Sequence, residues 1–423
     1  MGISLFIGLF NIVDFFWIGK LGSEALAGVS AAMFLIWCAY SAMDVSMVGI
    51  NTLVSQNIGA GNLGRANRAG TIGIIIGLIA AFFVMIVGLT AYPTLFRFMD
   101  LAPGTQDHAS QYFIWFILGI SATFTWRNFA AIFRGSGDTL TPMRLIGFAL
   151  ILNIILDPLF MVGFGWGTKG CAIATVLTHL IIGIIGARIL RRRGWSFGIQ
   201  SFYDPKDDLS PWTLAGKIIR IGIPMGLTGF IFSLVYIFLA RIISQFGTAP
   251  MAAIGIGHRI ESIVFLACMG FSTAAATLVG QNLGAGKIKK AEESAWKSVF
   301  YLTLVLTPIS LIFILLPEQI MTIFTDDLNV IREGADYLKI IGVSEIFMGA
   351  EIVLLQSFGG AGYTLIPTLI SVPLTVARLP LAYFLAIYLG YGPSGIWWAV
   401  AMTSLVKGTT LGVLFKLGLW KRK

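Results

Sequence analysis

Twelve apolar stretches, each about as long as a helix that crosses a bilayer, run through this chain of 423 residues. They fall near 2–19, 27–53, 68–92, 108–133, 143–163 and 168–190, and again near 218–245, 251–279, 294–316, 334–358, 367–389 and 394–416. Hydrophobic residues make up 57% of the sequence and charged residues only 12%, with a mean hydropathy of +0.86. A soluble domain is nearer 25% charged, so most of this surface is built to face lipid. The fold class predicted is an all-α integral membrane protein. The net charge of +9 is a topology signal and not a nucleic-acid surface.

The two sets of six are copies. Thr52–Gly61, TLVSQNIGAG, returns as TLVGQNLGAG at Thr277–Gly286, with eight identities in ten positions. The same shift of 225 residues carries FRGSGDTLTP (Phe133–Pro142) onto FGGAGYTLIP (Phe358–Pro367), and Gly165, Gly167 and Gly170 onto Gly390, Gly392 and Gly395. Six spans per copy is an even number, so both copies cross in the same direction and the repeats are parallel, not inverted. The organisation predicted is an amino-terminal lobe over 1–190, a cytoplasmic linker over 191–217 and a carboxy-terminal lobe over 218–423. Asp204, Asp207 and Asp208 among the arginines and lysines give the linker the composition of a solvated loop.

Orientation follows from Lys and Arg in the short loops. Fifteen of them follow even-numbered spans or lie in the tail, including Arg65, Arg68, Lys206, Lys287, Arg422 and Lys423. Lys20, Arg97, Lys169 and Arg332 lie on the other side. Both termini are therefore expected in the cytoplasm, in a multi-pass protein of the cytoplasmic membrane. At the repeat shift Met1 aligns with Gly226, whereas span 7 opens earlier and contains Pro224. The opening MGISLFIGLF has no basic n-region or cleavage site, so it reads as the inner part of span 1 with about ten residues absent.

Several motifs carry no chemistry. Gly59–Gly64 fits the dinucleotide pattern G-x-G-x-x-G, but it follows a hydrophobic helix and its twin GAGKIK loses the third glycine, so it reads as a turn. There is no phosphate-binding loop, H-E-x-x-H or G-x-S-x-G, hence no enzyme and no cofactor. Cys38, Cys171 and Cys268 sit unpaired in apolar runs and read as packing residues.

Ionisable residues inside spans are costly in lipid and mark pathways or ion sites. Asn11 and Asp14 lie three apart on span 1, and Asn153 and Asp157 four apart on span 5, so each pair shares a helix face. Pro158 follows at once and deprives the Ile154 carbonyl of its amide donor, giving a hinge candidate. At the repeat shift Asp14 meets Leu239 and Asp157 meets Ala382, so this polar set is not duplicated. A structural requirement would favour both copies equally, and the asymmetry favours function over hydrogen-bonded helix staples. Thr175 on span 6 adds a hydroxyl. The second half offers His258, Arg259 and Glu261 on span 8 as secondary candidates, with an ion pair among them as the bland alternative. Asp44, Arg127, Arg241, Glu345, Glu351 and Arg378 have no role assignable from sequence.

NIVDFFWIGKLG in span 1, the twin Q-N-(I/L)-G-A-G turns, FRGSGDTLTP and NIILDP together resemble the multidrug and toxic compound extrusion (MATE) family over the whole chain. The resemblance implies two six-helix lobes facing each other in a V, a central cavity and rocker-type alternating access. It implies an antiporter that exports amphipathic, often cationic compounds in exchange for sodium or protons. In the branch this chain is most similar to, coupling occurs in the amino-terminal lobe, and the matching positions are Asp14, Asn153, Asp157 and Thr175, a possible sodium site. Family members carry a proline early in span 1, and this chain begins just after that position. The expected partners are membrane lipid and small-molecule substrates, with no nucleic acid, and the chain is expected to work as a monomer. Two rival readings are a flippase of lipid-linked saccharides from the same superfamily, with a strongly basic cavity, and a membrane structural subunit without transport of its own.

The carboxylate pair also predicts how the site handles protons. Two carboxyl groups close together titrate as one coupled unit whose constants belong to the site. Asn11, Asn153, Thr175 and the Ile154 carbonyl supply the oxygen ligands that a hard cation prefers, so sodium is expected to compete with protons there.

Overall fold

The computed structural model describes residues 2–99, 101–197 and 209–421. These residues are almost wholly helical, with no strand among them. The first copy contains α1 (Gly2–Gly19), α2 (Ser23–Gly59), α3 (Leu63–Phe98), α4 (Pro103–Leu118), α5 (Ile120–Gly135), α6 (Leu140–Pro158) and α7 (Gly167–Arg192). The second contains α8 (Pro211–Ile243), α9 (Thr248–Gly284), α10 (Ile288–Leu315), the short α11 (Pro317–Thr322), α12 (Leu328–Ala361), α13 (Leu365–Tyr383) and α14 (Pro393–Lys416). Among the described residues nine helices are long and apolar enough to cross a membrane, and α4 with α5, bent by 55°, makes a tenth span. The two remaining predicted spans are α1, of 18 residues, and α12, of 34 residues. Arg332, Glu333, Asp336 and Lys339 in its opening turns, and Glu345 and Glu351 further on, lower the apolar character of α12.

Lipid sets which faces are apolar. On α3, Ile75, Leu78, Ile79, Phe82, Phe83 and Ile86 are exposed and recur at helical spacing, forming an outward stripe. Between helices, small residues replace the hydrophobic drive that lipid removes. Gly28 lets α2 approach α4 so closely that a Cβ there would stand 2.5 Å from the Thr105 carbonyl.

Residues 2–226 form one compact unit and the residues from 227 onward another, with the turn 284–286 grouped in the first. The division falls inside α8. The opening of α8 belongs to the first unit because Gly222 lies against the backbone of Val45 on α2. Among the described residues, the two ends of the connector are held by the protein. Asn67 Nδ2 donates to Ser196 Oγ at 2.9 Å, the Ser196 amide donates to Asn67 Oδ1 at 3.1 Å, and α8 begins at Pro211, ahead of the predicted 218. Asp204, Lys206, Asp207, Asp208, Arg422 and Lys423 lie outside the described residues.

The repeat holds at the level of backbone torsions. Gly22 and Gly247 have φ of 113° and 104°, Gly61 and Gly286 73° and 71°, Gly137 and Gly362 91° and 84°. Each pair lies at the 225 shift, and each occupies the left-handed region that glycine alone enters without strain. The G-x-G-x-x-G segment is a helix-ending turn, as expected: the Asn62 amide donates to the Asn57 carbonyl at 2.9 Å, and Lys287 to Asn282 at 2.8 Å. Five-residue π turns follow α6 at Leu159–Gly163 and α13 at Phe384–Tyr388, again at equivalent places. Pro158 occurs in the first copy only, so it does not by itself cause the π turn.

The conserved spacing breaks in two informative places. α4 and α5 separate at Gly119, whereas α12 runs unbroken through the equivalent Ser344. In the turn before α6, Asp138 Oδ1 accepts the Thr141 amide at 2.9 Å and Oδ2 meets the Arg193 guanidinium, while the second copy has Tyr363 there. Partial burial pushes the Asp138 carboxyl up, but the Thr141 and Arg193 hydrogen bonds outweigh it and hold the group below its ordinary value. A depressed carboxyl stabilises the fold at neutral pH, and that contribution is lost as pH falls through its folded-state value.

Candidate functional site

Three helices of the first unit carry the predicted site: α1 supplies Asp14, α6 supplies Asn153 and Asp157, and α7 supplies Thr175. All four side chains are buried, Asn153 and Asp157 completely, so spacing on single helices has become one cluster across three. Asn153 Nδ2 donates to Asp157 Oδ1 at 3.0 Å. The Thr175 hydroxyl is shared between the Cys171 carbonyl at 3.1 Å and Asp14 Oδ2 at 3.4 Å. The Asp14 carboxyl lies against both Asp157 and Asn153. Asn11 is on α1 as expected, but its side chain lies outside the described residues.

The donors are too few for the acceptors. Asp14 Oδ1, Asn153 Oδ1 and Asp157 Oδ2 are buried with no protein hydrogen-bond donor. Two ionised carboxylates in contact, away from water, repel strongly unless a cation or proton is present. These oxygens therefore fit a hard cation, and either a proton or sodium would relieve the same imbalance. Cys171, read from sequence as a packing residue, belongs here too: its Sγ and the Asp14 and Asp157 carboxylates each place a ligand atom within 4.8 Å of the others. The sequence signal was the four-residue spacing to Thr175, which puts both on one face of α7.

The second copy lacks this acidic set but carries buried polar groups of its own. Arg378 stands at the position equivalent to Asn153 and is buried on α13. Its Nε donates to Thr403 Oγ1 at 2.8 Å, Nη2 to Ser404 Oγ at 2.9 Å, and Nη1 to Tyr236 Oη at 3.4 Å. Also buried in that lobe, Lys407 Nζ pairs with Glu351 Oε1 at 2.7 Å. The asymmetry between copies is therefore one of sign: acidic at the first site, basic at its counterpart.

Of the secondary candidates, Glu261 accepts the Tyr337 hydroxyl at 2.5 Å and meets Glu345, both of whose carboxylate oxygens lack a donor. Among the described residues no ion pair joins Arg259 to Glu261. Arg259 and His258 are both exposed, while Glu261 is half-buried. The His258 ring packs edge-on to Tyr236, 5.5 Å between centroids. Of the unassigned charges, Arg127 sits 4.4 Å over the ring of Tyr40, within electrostatic reach of Asp44. Arg241 lies beside Phe238 and Tyr383 at the lobe surface.

Comparison with known proteins agrees with this architecture. The probable multidrug resistance protein NorM of Thermotoga maritima is 27% identical over 432 residues, spanning 100% of this chain and 91% of its own length. The probable multidrug resistance protein YpnP of Bacillus subtilis is 26% identical over 97% of this chain and 91% of its own. The solved structure of a MOP superfamily transporter from Pyrococcus furiosus superposes on the whole chain and 95% of its own with a TM-score of 0.90 at 21% identity, a likeness of fold. The MatE family model matches residues 1–159 and 224–384, most of both copies. The chain is a multi-pass membrane transporter that belongs to the MatE family, and not an enzyme.

Proposed function

We propose that this transporter is a secondary active antiporter that exports amphipathic, cationic, drug-like compounds in exchange for protons or sodium by alternating access. The observation that carries this reading is the buried pair Asp14 and Asp157, with three oxygen atoms around it that no protein group satisfies. A fixed protein donor there would neutralise the site permanently, whereas an exchangeable ion lets its charge alternate with the state of the lobe. Asn153 and Thr175 would hold the ion, and Pro158 with the adjoining π turn would let α6 bend as it leaves. The names of the NorM and YpnP relatives support a drug-like substrate.

In proteoliposomes, an imposed sodium gradient or an imposed pH gradient should each drive uphill movement of a fluorescent organic cation. If neither gradient does so while both membrane insertion and substrate binding are intact, the antiport reading fails.

The Lys and Arg distribution supports placing both termini in the cytoplasm of a cytoplasmic-membrane protein. In a background without native cysteines, Ser23→Cys and Thr248→Cys should be labelled from outside the cell by an impermeant maleimide. Asn62→Cys and Lys287→Cys should be protected, and any exchange between the two pairs would reject the parallel arrangement.

A further inference from the structure

We propose that Asp14, Asp157 and Cys171 form a binding site for a thiophilic divalent cation of the zinc and cadmium class. Among the described residues this is the one group of three such donors whose ligand atoms lie within 4.8 Å of one another. Tetrahedral zinc, with bonds of about 2.3 Å to sulfur and about 2.1 Å to oxygen, sets sulfur and oxygen roughly 3.6 Å apart. Closing from the present spacing requires side-chain adjustments of about an ångström. The fourth ligand is also at hand, since Asn153 is fully buried and its Oδ1 has no donor.

Sodium gains nothing from a sulfur ligand, while zinc and cadmium gain a great deal. A site made only for sodium or protons would need the carboxylates, the amide and the hydroxyl, and none of these requires a thiol beside them. Cys171 is held in place by its own helix, because Thr175 one turn later donates to the Cys171 carbonyl at 3.1 Å. Its equivalent in the second copy is Ile396, and the position of Asp157 is taken there by Ala382, so neither ligand is repeated. Binding is an exchange in which the S–H bond of Cys171 breaks, a sulfur–metal bond forms, and the proton leaves to solvent. With the metal bound, two carboxylates and one thiolate against a divalent ion leave one net negative charge, the same as two carboxylates with sodium, but the sulfur–metal bond holds the ion longer, so it blocks exchange at the site. This inference rests on the antiport reading only for the path by which an ion reaches the cluster.

The test uses the full chain purified in detergent, with Cys38→Ser and Cys268→Ser so that Cys171 is the only thiol. Cadmium chloride is titrated while the ultraviolet sulfur-to-cadmium charge-transfer band and the bound metal are measured. The expected result is one cadmium per chain with the band present, and an apparent Kd that rises with added sodium. Cys171→Ser and Cys171→Ala should remove the band and weaken binding at least ~10-fold, as expected when a soft ligand is lost. Asp157→Asn should weaken binding by a similar factor although the thiol remains. Absence of the band in the chain that retains Cys171 overturns the proposal without any change at the site. A band of undiminished affinity in Asp157→Asn also overturns it, because the thiol would then be acting alone. No gradient or substrate enters this measurement, so its failure leaves the antiport reading standing, and a failed transport assay leaves the metal site standing.

Discussion

Asp157→Asn should abolish uphill export in the proteoliposome assay, leaving substrate accumulation at the level of empty liposomes, while the protein should still insert and run as a single species on gel filtration. Asp157 is fully buried and lies against a second carboxyl, so its neutral amide analogue should cost little in stability, removing a repulsion along with a ligand. What it cannot do is change charge when a proton or sodium arrives. With Asp14 left as the one carboxylate, the site loses the charge pair whose neutralisation favours one conformation over the other, and with it the coupling between gradient and substrate. Asp14→Asn should act in the same way. Glu261→Gln should reduce export much less, because its partner network in the second copy is separate from the first-copy pair. Loss of transport in Glu261→Gln, with Asp157→Asn active, would place coupling in the other lobe.

The largest loss of stability is expected at Lys407→Met. Lys407 and Glu351 form an ion pair at 2.7 Å with side chains 3% and 10% exposed. Removing the lysine leaves Glu351 as an unpaired charge in the interior, a change that costs about 3–5 kcal/mol in buried pairs. Replacing both partners removes the charge altogether and recovers most of that loss. Lys407→Met should therefore lower the thermal midpoint in detergent sharply, and Lys407→Met with Glu351→Gln should restore it. Equal destabilisation in the single and double variants would show that the pair contributes packing and not charge compensation.

How far the sequence could be read depended on which interactions were local. The duplicated turns were legible because a left-handed backbone demands glycine, so Gly61 and Gly286 or Gly137 and Gly362 stayed identical while the helices around them diverged. The spans were legible because lipid requires length and apolar composition, which survive substitution. The break at Gly119 was not legible, since a glycine within an apolar run neither requires nor forbids a bend, and its twin Ser344 sits in a continuous helix. The acidic cluster was anticipated from i,i+3 and i,i+4 spacing, which states that residues share a face but not which helix that face meets. Cys171 was missed for that reason: its place beside Asp14 depends on α7 packing across α1. Lys407 was hidden inside an apolar run, and its partner Glu351 lies on another helix. Arg378, aligned with Asn153, was visible in the repeat, yet its meaning came only with the three hydroxyl groups that hold it.

Sodium affinity of the purified protein as a function of pH tests the central claim most directly, namely that one carboxylate pair in the first copy takes either coupling ion. If protons and sodium compete for Asp14 and Asp157, affinity should weaken steadily as pH is lowered from about 8 to about 5, the range a buried coupled pair can reach. In Asp157→Asn the pH dependence should vanish together with most of the binding. Sodium affinity that is constant across that range, or sodium binding in Asp157→Asn equal to that of the unaltered chain, would contradict the account.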